Sequence, residues 1–402
     1  MEKWKIMSHF VETVFMIPFK TKSSSFSELS STNITSDSVL EISWTAIQHN
    51  INYFKEKIAP ATQLMLMLKA DAYGVGVIQL AQLIEENKLA DYISVAYPQE
   101  GIELRKAGIT LPIMVLNPNL DSWQSLINYC LEPEIHHLIA LKSFSSFLLE
   151  QGLEDSAYPI HLKFNTGMNR LGIDENEVPE LVAILKNQKR LKVKSLLSHL
   201  SCSGVGTEDD FTKKQITTFE SICATIETQQ NQKVLKHILN TNGIERHSKF
   251  QMDMVRMGIG IYGASFYQPL RKKLKEAISL KTKICAIRKV EVGASIGYSR
   301  AGTVTKETWI ATLSIGYADG MSRWMGNGNW EVEIDGKLYP TIGNICMDLC
   351  MIDLGEQNFP IEKEVIIFGG LKSIQDFANA QYTISYEVMT KIGKRVERKI
   401  IA

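Results

Sequence analysis

Between Leu64 and Met257 the chain repeats one pattern eight times, a short apolar run followed by a longer amphipathic stretch, and that repetition restricts the fold more than any other feature. The runs are Leu64–Leu68, Tyr92–Ala96, Ile113–Leu116, Ile135–Ala140, Ile160–Phe164, Ser195–Ser198, His237–Asn240 and Met254–Met257. Segments such as Val77–Asn87, Gln99–Ala107, Glu180–Asn187 and Asp210–Gln229 lie between most of them and carry helical spacing. Parallel strands need a crossover between neighbours, and a helix supplies it. The alternation therefore predicts an α/β chain with a (β/α)8 TIM-like barrel, with a doubly wound open sheet as the competing arrangement.

After about Leu274 the texture changes. β-branched, Gly-punctuated runs take over (LKTKICAIRKV, TWIATLSIGYADG, WEVEIDGKLYPTIG, KEVIIFGG), and Asp335-Gly336 reads as a two-residue hairpin turn. A second, mainly antiparallel β domain is expected, ending in a short helical piece near Ile374–Ala378. Upstream, the stretch from Lys20 to Ser38 is rich in Ser, Thr and Asn and has little apolar surface to offset its ordering entropy. The expected organisation is a disordered tail over 1–37, a barrel over 38–273 opening with a strand at Val39–Ser43 and a helix from Trp44 to Ile58, and a β domain over 274–402.

The 44 Lys and Arg balance the 44 Asp and Glu, and no basic stripe is present, so neither nucleic acid nor an anionic membrane is an expected partner. No run approaches the ~18 to 20 apolar residues of a membrane span. The apolar run from Val14 to Phe19 is short, contains Pro18 and meets no small-residue cleavage site, which argues against an export signal. Six scattered cysteines without a CxxC pair read as reduced thiols in a cytoplasmic protein, and no metal site is expected.

In a parallel barrel the functional side chains sit at the carboxyl ends of the strands. The first run ends in Lys69, followed by Tyr73, Gly74 and Gly76. A lysine delivered by an apolar strand into a barrel mouth is a candidate Schiff-base amine, because partial burial lowers its pKa; a snorkelling lysine is the plainer reading. The fifth run carries Lys163 and leads to Arg170 between Gly167 and Gly172, a guanidinium suited to a carboxylate or phosphate or simply to solvent. The sixth ends in His199, the seventh reaches Thr241, and the eighth contains Arg256 and opens into Gly258-Ile259-Gly260, a plausible phosphate nest. Each signal alone is weak, but they coincide at strand ends.

Nine motifs in order, KADAYGVG, HLKFNTGMNRLG, LSH, LNT, MVRMGIGIYG, SIGYS, IGYADGMSR, GNICMDLCMID and ISYE, resemble alanine racemase from about Val39 to Arg398. The resemblance implies a pyridoxal 5'-phosphate enzyme that racemises alanine, supplies D-alanine for peptidoglycan and works as a homodimer with shared active sites. Lys69 would hold the cofactor and act as one catalytic base, and Tyr298 of the partner subunit would be the other. Tyr73, Thr241, Gly258, Ile259 and Tyr386 would contact the phosphate, and Arg256 would meet the ring nitrogen with His199 beside it. Arg170 and Met347 would bind the substrate carboxylate, Lys163 would be a carbamylation candidate bracing Arg170, and Tyr317 would line the entrance. Departures from the usual wording are Val75 for His, Asn165 for Asp, Asn169 and Ser299 for Gly, Thr241 for Ser, and Asn344 for Arg. They leave the chemical groups in place and touch substrate preference, so a racemase of serine, lysine or a broader range is the nearest alternative. A non-catalytic pyridoxal phosphate carrier would lack the second domain, and a decarboxylase would place an acid where Arg256 stands.

Overall fold

A computed structural model describes residues 36–186, 189–230 and 233–402. The tail expected over 1–37 lies almost wholly outside the described residues. The first strand, β1 (Val39–Ser43), leads into a helix at Trp44–Lys57, whose first turn is capped by the Ser43 hydroxyl accepting from the Ala46 N–H. Eight parallel strands follow: β2 (Gln63–Met67), β3 (Tyr92–Val95), β4 (Ile113–Val115), β5 (Glu132–Ile135), β6 (Tyr158–Lys163), β7 (Leu191–Leu197), β8 (Leu235–His237) and β9 (Met254–Met257). They pair in chain order, and β9 returns to β2 in the register Leu64↔Val255 and Met65↔Arg256. Two backbone hydrogen bonds, Asp253 N–H to the Lys236 carbonyl (3.1 Å) and Arg256 N–H to the Leu239 carbonyl (3.0 Å), bridge the remaining seam. The barrel is thus nearly closed, and the open-sheet alternative is set aside.

One expectation needs correcting. The fourth run was placed at Ile135–Ala140, but β5 ends at Ile135, and Leu138–Glu150 is a helix. The apolar residues of HHLIALKSF follow helical spacing and bury Leu138, Leu141, Phe144 and Leu148 against the barrel, which favours a crossover helix over an extended strand. The true strand reads EPEI and was concealed by its two carboxylates. Similarly, β8 ends at His237 instead of Asn240, so Asn240 caps the following turn with its side chain accepting from the Gly243 N–H.

The second sheet holds β10 (Ile278–Val290), β13 (Thr308–Leu313), β14 (Glu331–Ile334), β15 (Lys337–Pro340), β16 (Cys350–Gly355), β17 (Glu364–Phe368) and β18 (Glu397–Ile401), with β11 (Ser295–Ile296) and β12 (Gly302–Thr303) forming a separate small hairpin. Asp335 and Gly336 connect β14 to β15 as the antiparallel hairpin expected. Short helices lie at Ile374–Ala380 and Ser385–Thr390. β1 belongs to this sheet, antiparallel to β10 (Leu40↔Leu280) and parallel to β18 (Leu40↔Arg398). The segment that precedes the barrel in the chain therefore ties it to the C-terminal sheet. All six cysteines are free, and among the described residues no helix is long and apolar enough to cross a membrane.

Candidate active site

At the carboxyl ends of the barrel strands lies a cavity of about 260 Å³ whose lining includes Lys69, Tyr73, Lys163, Arg170, His199, Thr241, Arg256, Gly258 and Tyr386. These residues come from the ends of five strands, β2, β6, β7, β8 and β9, and from the helix at Ser385–Thr390, which follows Lys69 by more than 300 positions in sequence.

Lys69 opens an unusual turn. Ala70, Asp71, Ala72 and Tyr73 all have left-handed backbones, with φ of 54°, 54°, 52° and 63°. For residues with a Cβ this costs on the order of 1–2 kcal/mol each, so the surroundings must enforce it. They do so at several points. The Ala70 N–H donates to Glu100 Oε1 (2.6 Å), the Val77 N–H to Asp71 Oδ1 (2.7 Å), Tyr262 Oη to the Ala72 carbonyl (2.6 Å) and Arg398 Nε to the Gly74 carbonyl (3.0 Å). The turn swings Tyr73 under the cavity beside Lys69. Burial, and next the guanidinium of Arg170, hold the Lys69 amine below the ordinary lysine range.

Arg256 is buried and makes only donor contacts: Nη1 to His237 Nδ1 (2.6 Å) and the His237 carbonyl (3.1 Å), Nη2 to the Ser198 carbonyl (2.6 Å) and His199 Nδ1 (3.3 Å). Because a guanidinium cannot accept, His237 Nδ1 must, and its Nε2–H donates to Ser195 Oγ (2.8 Å). Ser195 in turn donates to His161 Nδ1 (2.7 Å), and His161 Nε2–H to Glu132 Oε2 (2.8 Å), which also takes the Tyr92 hydroxyl (2.8 Å). The Arg256 end fixes His237 as an Nδ1 acceptor, and this order of donors and acceptors satisfies every group along the buried line. Burial, followed by Arg256, keeps His237 well below its usual pKa, in agreement with that assignment. Ser195→Ala would leave His237 Nε2–H and His161 Nδ1 unpaired inside the barrel. We expect a loss of about 1–3 kcal/mol in urea unfolding; an unchanged midpoint would contradict the proton order.

Across the cavity, the Thr241 hydroxyl accepts the Gly258 N–H (3.0 Å), and a Cβ on Gly258 would stand 2.5 Å from Tyr73 Oη. Tyr73 and Tyr386 rings lie 5.8 Å apart, and Phe266 stacks on Tyr386 at 6.1 Å. Ile259, next to Gly258, starts a 3-10 turn with its side chain in the core and is not itself part of the cavity lining. The hydroxyls of Tyr73, Thr241 and Tyr386, a glycine that lets Tyr73 approach closely and a nearby lysine of lowered pKa fit a phosphate-bearing aldehyde cofactor.

Lys163 donates to Glu134 Oε1 at 2.8 Å, with both side chains buried. Arg170 is exposed at the rim. Its loop is shaped by Asn165, whose Oδ1 accepts the N–H groups of Gly167 (3.2 Å) and Asn169 (3.0 Å). Asn169 sits at φ 55°, a left-handed position that asparagine tolerates.

Tyr298, Tyr317 and Met347 do not line the cavity; all three are exposed on the β domain, Tyr298 at 71%. They are linked to one another. Asn344 Nδ2 donates to the Tyr298 carbonyl (3.1 Å), the Tyr317 N–H donates to the Cys346 carbonyl (2.9 Å), and Arg395 holds Asp348 at 2.7 Å beside Met347. Cavity residues that the sequence reading did not single out are Glu134, Ser198, Asn240 and Asn242, together with the supporting His237 and Ser195. The misplaced fourth strand hid Glu134.

Comparison with known proteins places this arrangement. The model of the alanine racemase N-terminal domain matches residues 42–266, and that of the C-terminal domain matches 277–400. Alanine racemases of Cutibacterium acnes and Treponema denticola are 34% and 35% identical, over 89% and 88% of this chain and 96% of each relative. The crystal structure of alanine racemase from a D-cycloserine-producing Streptomyces lavendulae superimposes with a TM-score of 0.85 at 28% identity, covering 92% of this chain and 97% of the other. Barrel, β domain and relatives together define an isomerase, an amino-acid racemase. The chain belongs to the alanine racemase family, and the names of its relatives support alanine as the amino acid racemised.

Proposed function

We propose that this protein interconverts L-alanine and D-alanine with pyridoxal 5'-phosphate, using Lys69 as the base on one face of Cα and Tyr298 of the partner subunit on the other. The observation that carries the reading is the convergence of Lys69, Arg170, Arg256 and the Tyr73, Thr241 and Gly258 cradle on one cavity at the barrel mouth. Bound pyridoxal phosphate supplies an electron sink that acidifies the Cα proton of the amino acid. Tyr73, Tyr386, Thr241 and the backbone at Gly258 and Ile259 would hold the phosphate. Arg256 faces the ring nitrogen as a charged donor with no proton to give at neutral pH, and His199 packs beside it. Lys69 takes or returns a proton at Cα, Arg170 holds the substrate carboxylate, and Met347 of the partner subunit closes on the same group.

The reading takes its second base from another chain, and the lining supports that choice. Burial pushes the Tyr386 phenol up to about 12 and Tyr73 higher still, so neither is a ready base. His199 is held below its normal range by burial and Arg256, and Lys163 is paired. Tyr298, exposed with Tyr317, Trp324, Met347 and Leu349 on a connected face, has the accessibility to enter another subunit's cavity. The homodimer, with Tyr317 at the entrance of the shared site, is part of the proposal, as is a cytoplasmic role in providing D-alanine for peptidoglycan.

The test is incubation of the cofactor-loaded protein with L-alanine, L-serine and L-lysine separately, followed by chiral analysis. D-alanine formed fastest supports the reading, a faster serine or lysine reaction moves it to a broader racemase, and no racemisation of any of the three overturns it. Growth of a D-alanine-requiring bacterium on expression of the chain checks the cellular role. For the cradle, Gly258→Ala must displace the Tyr73 hydroxyl, and we expect cofactor affinity to fall at least about tenfold, read by equilibrium dialysis; unaltered affinity would remove the phosphate from that position.

A further inference from the structure

The residues lining the cavity include four cations, Lys69, Lys163, Arg170 and Arg256, and a single carboxylate, Glu134. Glu134 is 0% exposed; its Oε1 accepts from Lys163 at 2.8 Å, and its Oε2 is buried with no hydrogen-bond partner. A buried ionised oxygen without a donor is destabilising, so the site has a use for one. Arg170, on the same lining, has no ion pair among the described residues. Strand register brings the two regions together, because Glu134 on β5 stands opposite His161 on β6, two residues before Lys163 and in the strand that leads into the Arg170 loop. Glu134 also acts on the site's charges, opposing the effect of burial on both Lys69 and Arg256.

We propose that Lys163 is an unmodified ammonium in this protein, and that Glu134, through Oε2, is the anion that braces Arg170 against the substrate carboxylate. The proposal rests on the assignment of Arg170 to that carboxylate and reverses the expectation of a carbamate on Lys163. Carbamylation joins the neutral amine to carbon dioxide, forming one N–C bond and releasing one proton, and so turns a cation into an anion. Glu134 opposes this twice. Its carboxylate already accepts the Lys163 Nζ–H at 2.8 Å, and a carbamate would put a second negative charge against it in the same buried space. With Glu134 present, the anion a carbamate would provide is already in place, and Glu134 is a positioning residue that acts through Arg170.

Two measurements on the holoenzyme decide this. The first is ¹³C NMR after equilibration with ¹³C-bicarbonate: no protein-bound carbamate resonance is expected, and a resonance that disappears in Lys163→Arg overturns the proposal. The second is Glu134→Gln, which keeps the shape and removes the charge. KM for L-alanine should rise about tenfold with kcat nearly unchanged, the signature of lost ground-state binding. An unchanged KM, or a fall in kcat alone, overturns the proposal. Should Glu134→Gln fail to fold, the labelling of the unaltered protein still decides. Arg170→Lys separates the two levels: if it leaves KM unchanged, the assignment of Arg170 fails, whereas a raised KM there with an unchanged one in Glu134→Gln rejects only the role of Glu134.

Discussion

Lys69→Ala is expected to abolish racemisation from either enantiomer, by at least about 10⁴-fold in kcat, because in the proposed reading one side chain both holds the cofactor and moves a proton at Cα. The fold should survive the change. The left-handed turn after Lys69 is enforced by Glu100, Asp71, Tyr262 and Arg398, none of which touches the lysine amine through the hydrogen bonds that hold the turn. Circular dichroism and the unfolding midpoint should therefore match the unaltered protein while activity is lost. Lys69→Arg should be similarly inactive, since a guanidinium of pKa above about 12 cannot act as a base near neutrality. A Lys69→Ala rate within tenfold of normal would sink the assignment of this residue.

How much of this could be read from the sequence depended on whether the signal was local. Six of the eight barrel strands were visible as apolar runs, because a strand buried on both faces is largely apolar, and β8 was met only at His237. β5 broke that rule. Its Glu132 and Glu134 point into the barrel, one to the His161 line and the other to Lys163, and a carboxylate in a strand reads as a loop until its partners are known. The pairing of β1 with β10, Leu40 to Leu280, has no local signal at all. Nor has the line from Arg256 to Tyr92, which assembles one residue from each of six strands. The family wording served better. It located the cavity residues by motif, and two of its departures have a backbone reason: Asn169 and Ser299, standing where glycine is usual, have φ of 55° and 61°. Motif and cavity agree at Lys69, Arg170, Thr241 and Arg256, whereas Tyr298 and Met347 lie exposed on the β domain, outside the cavity, and enter the proposed site only from a second chain.

That second chain makes Tyr298→Phe the more discriminating experiment. Racemisation should fall by about 10²–10⁴-fold on loss of one of two bases. Because the enantiomers of alanine are equal in free energy in water, kcat/KM must stay equal in the two directions for every variant, so the asymmetry has to be sought in proton exchange. In D2O the phenylalanine variant should wash deuterium into one enantiomer, the one whose Cα hydrogen faces Lys69, without inverting it, while the other stays inert; equal exchange from both would overturn the two-base assignment. Mixing tests the shared site. If Tyr298 serves the partner's barrel, a heterodimer of Lys69→Ala and Tyr298→Phe chains holds one doubly damaged site and one intact site. With random reassortment half the dimers are mixed, so about a quarter of the normal activity should return from two inactive proteins. If Tyr298 worked within its own chain, every site would still lack one base and mixing would restore nothing.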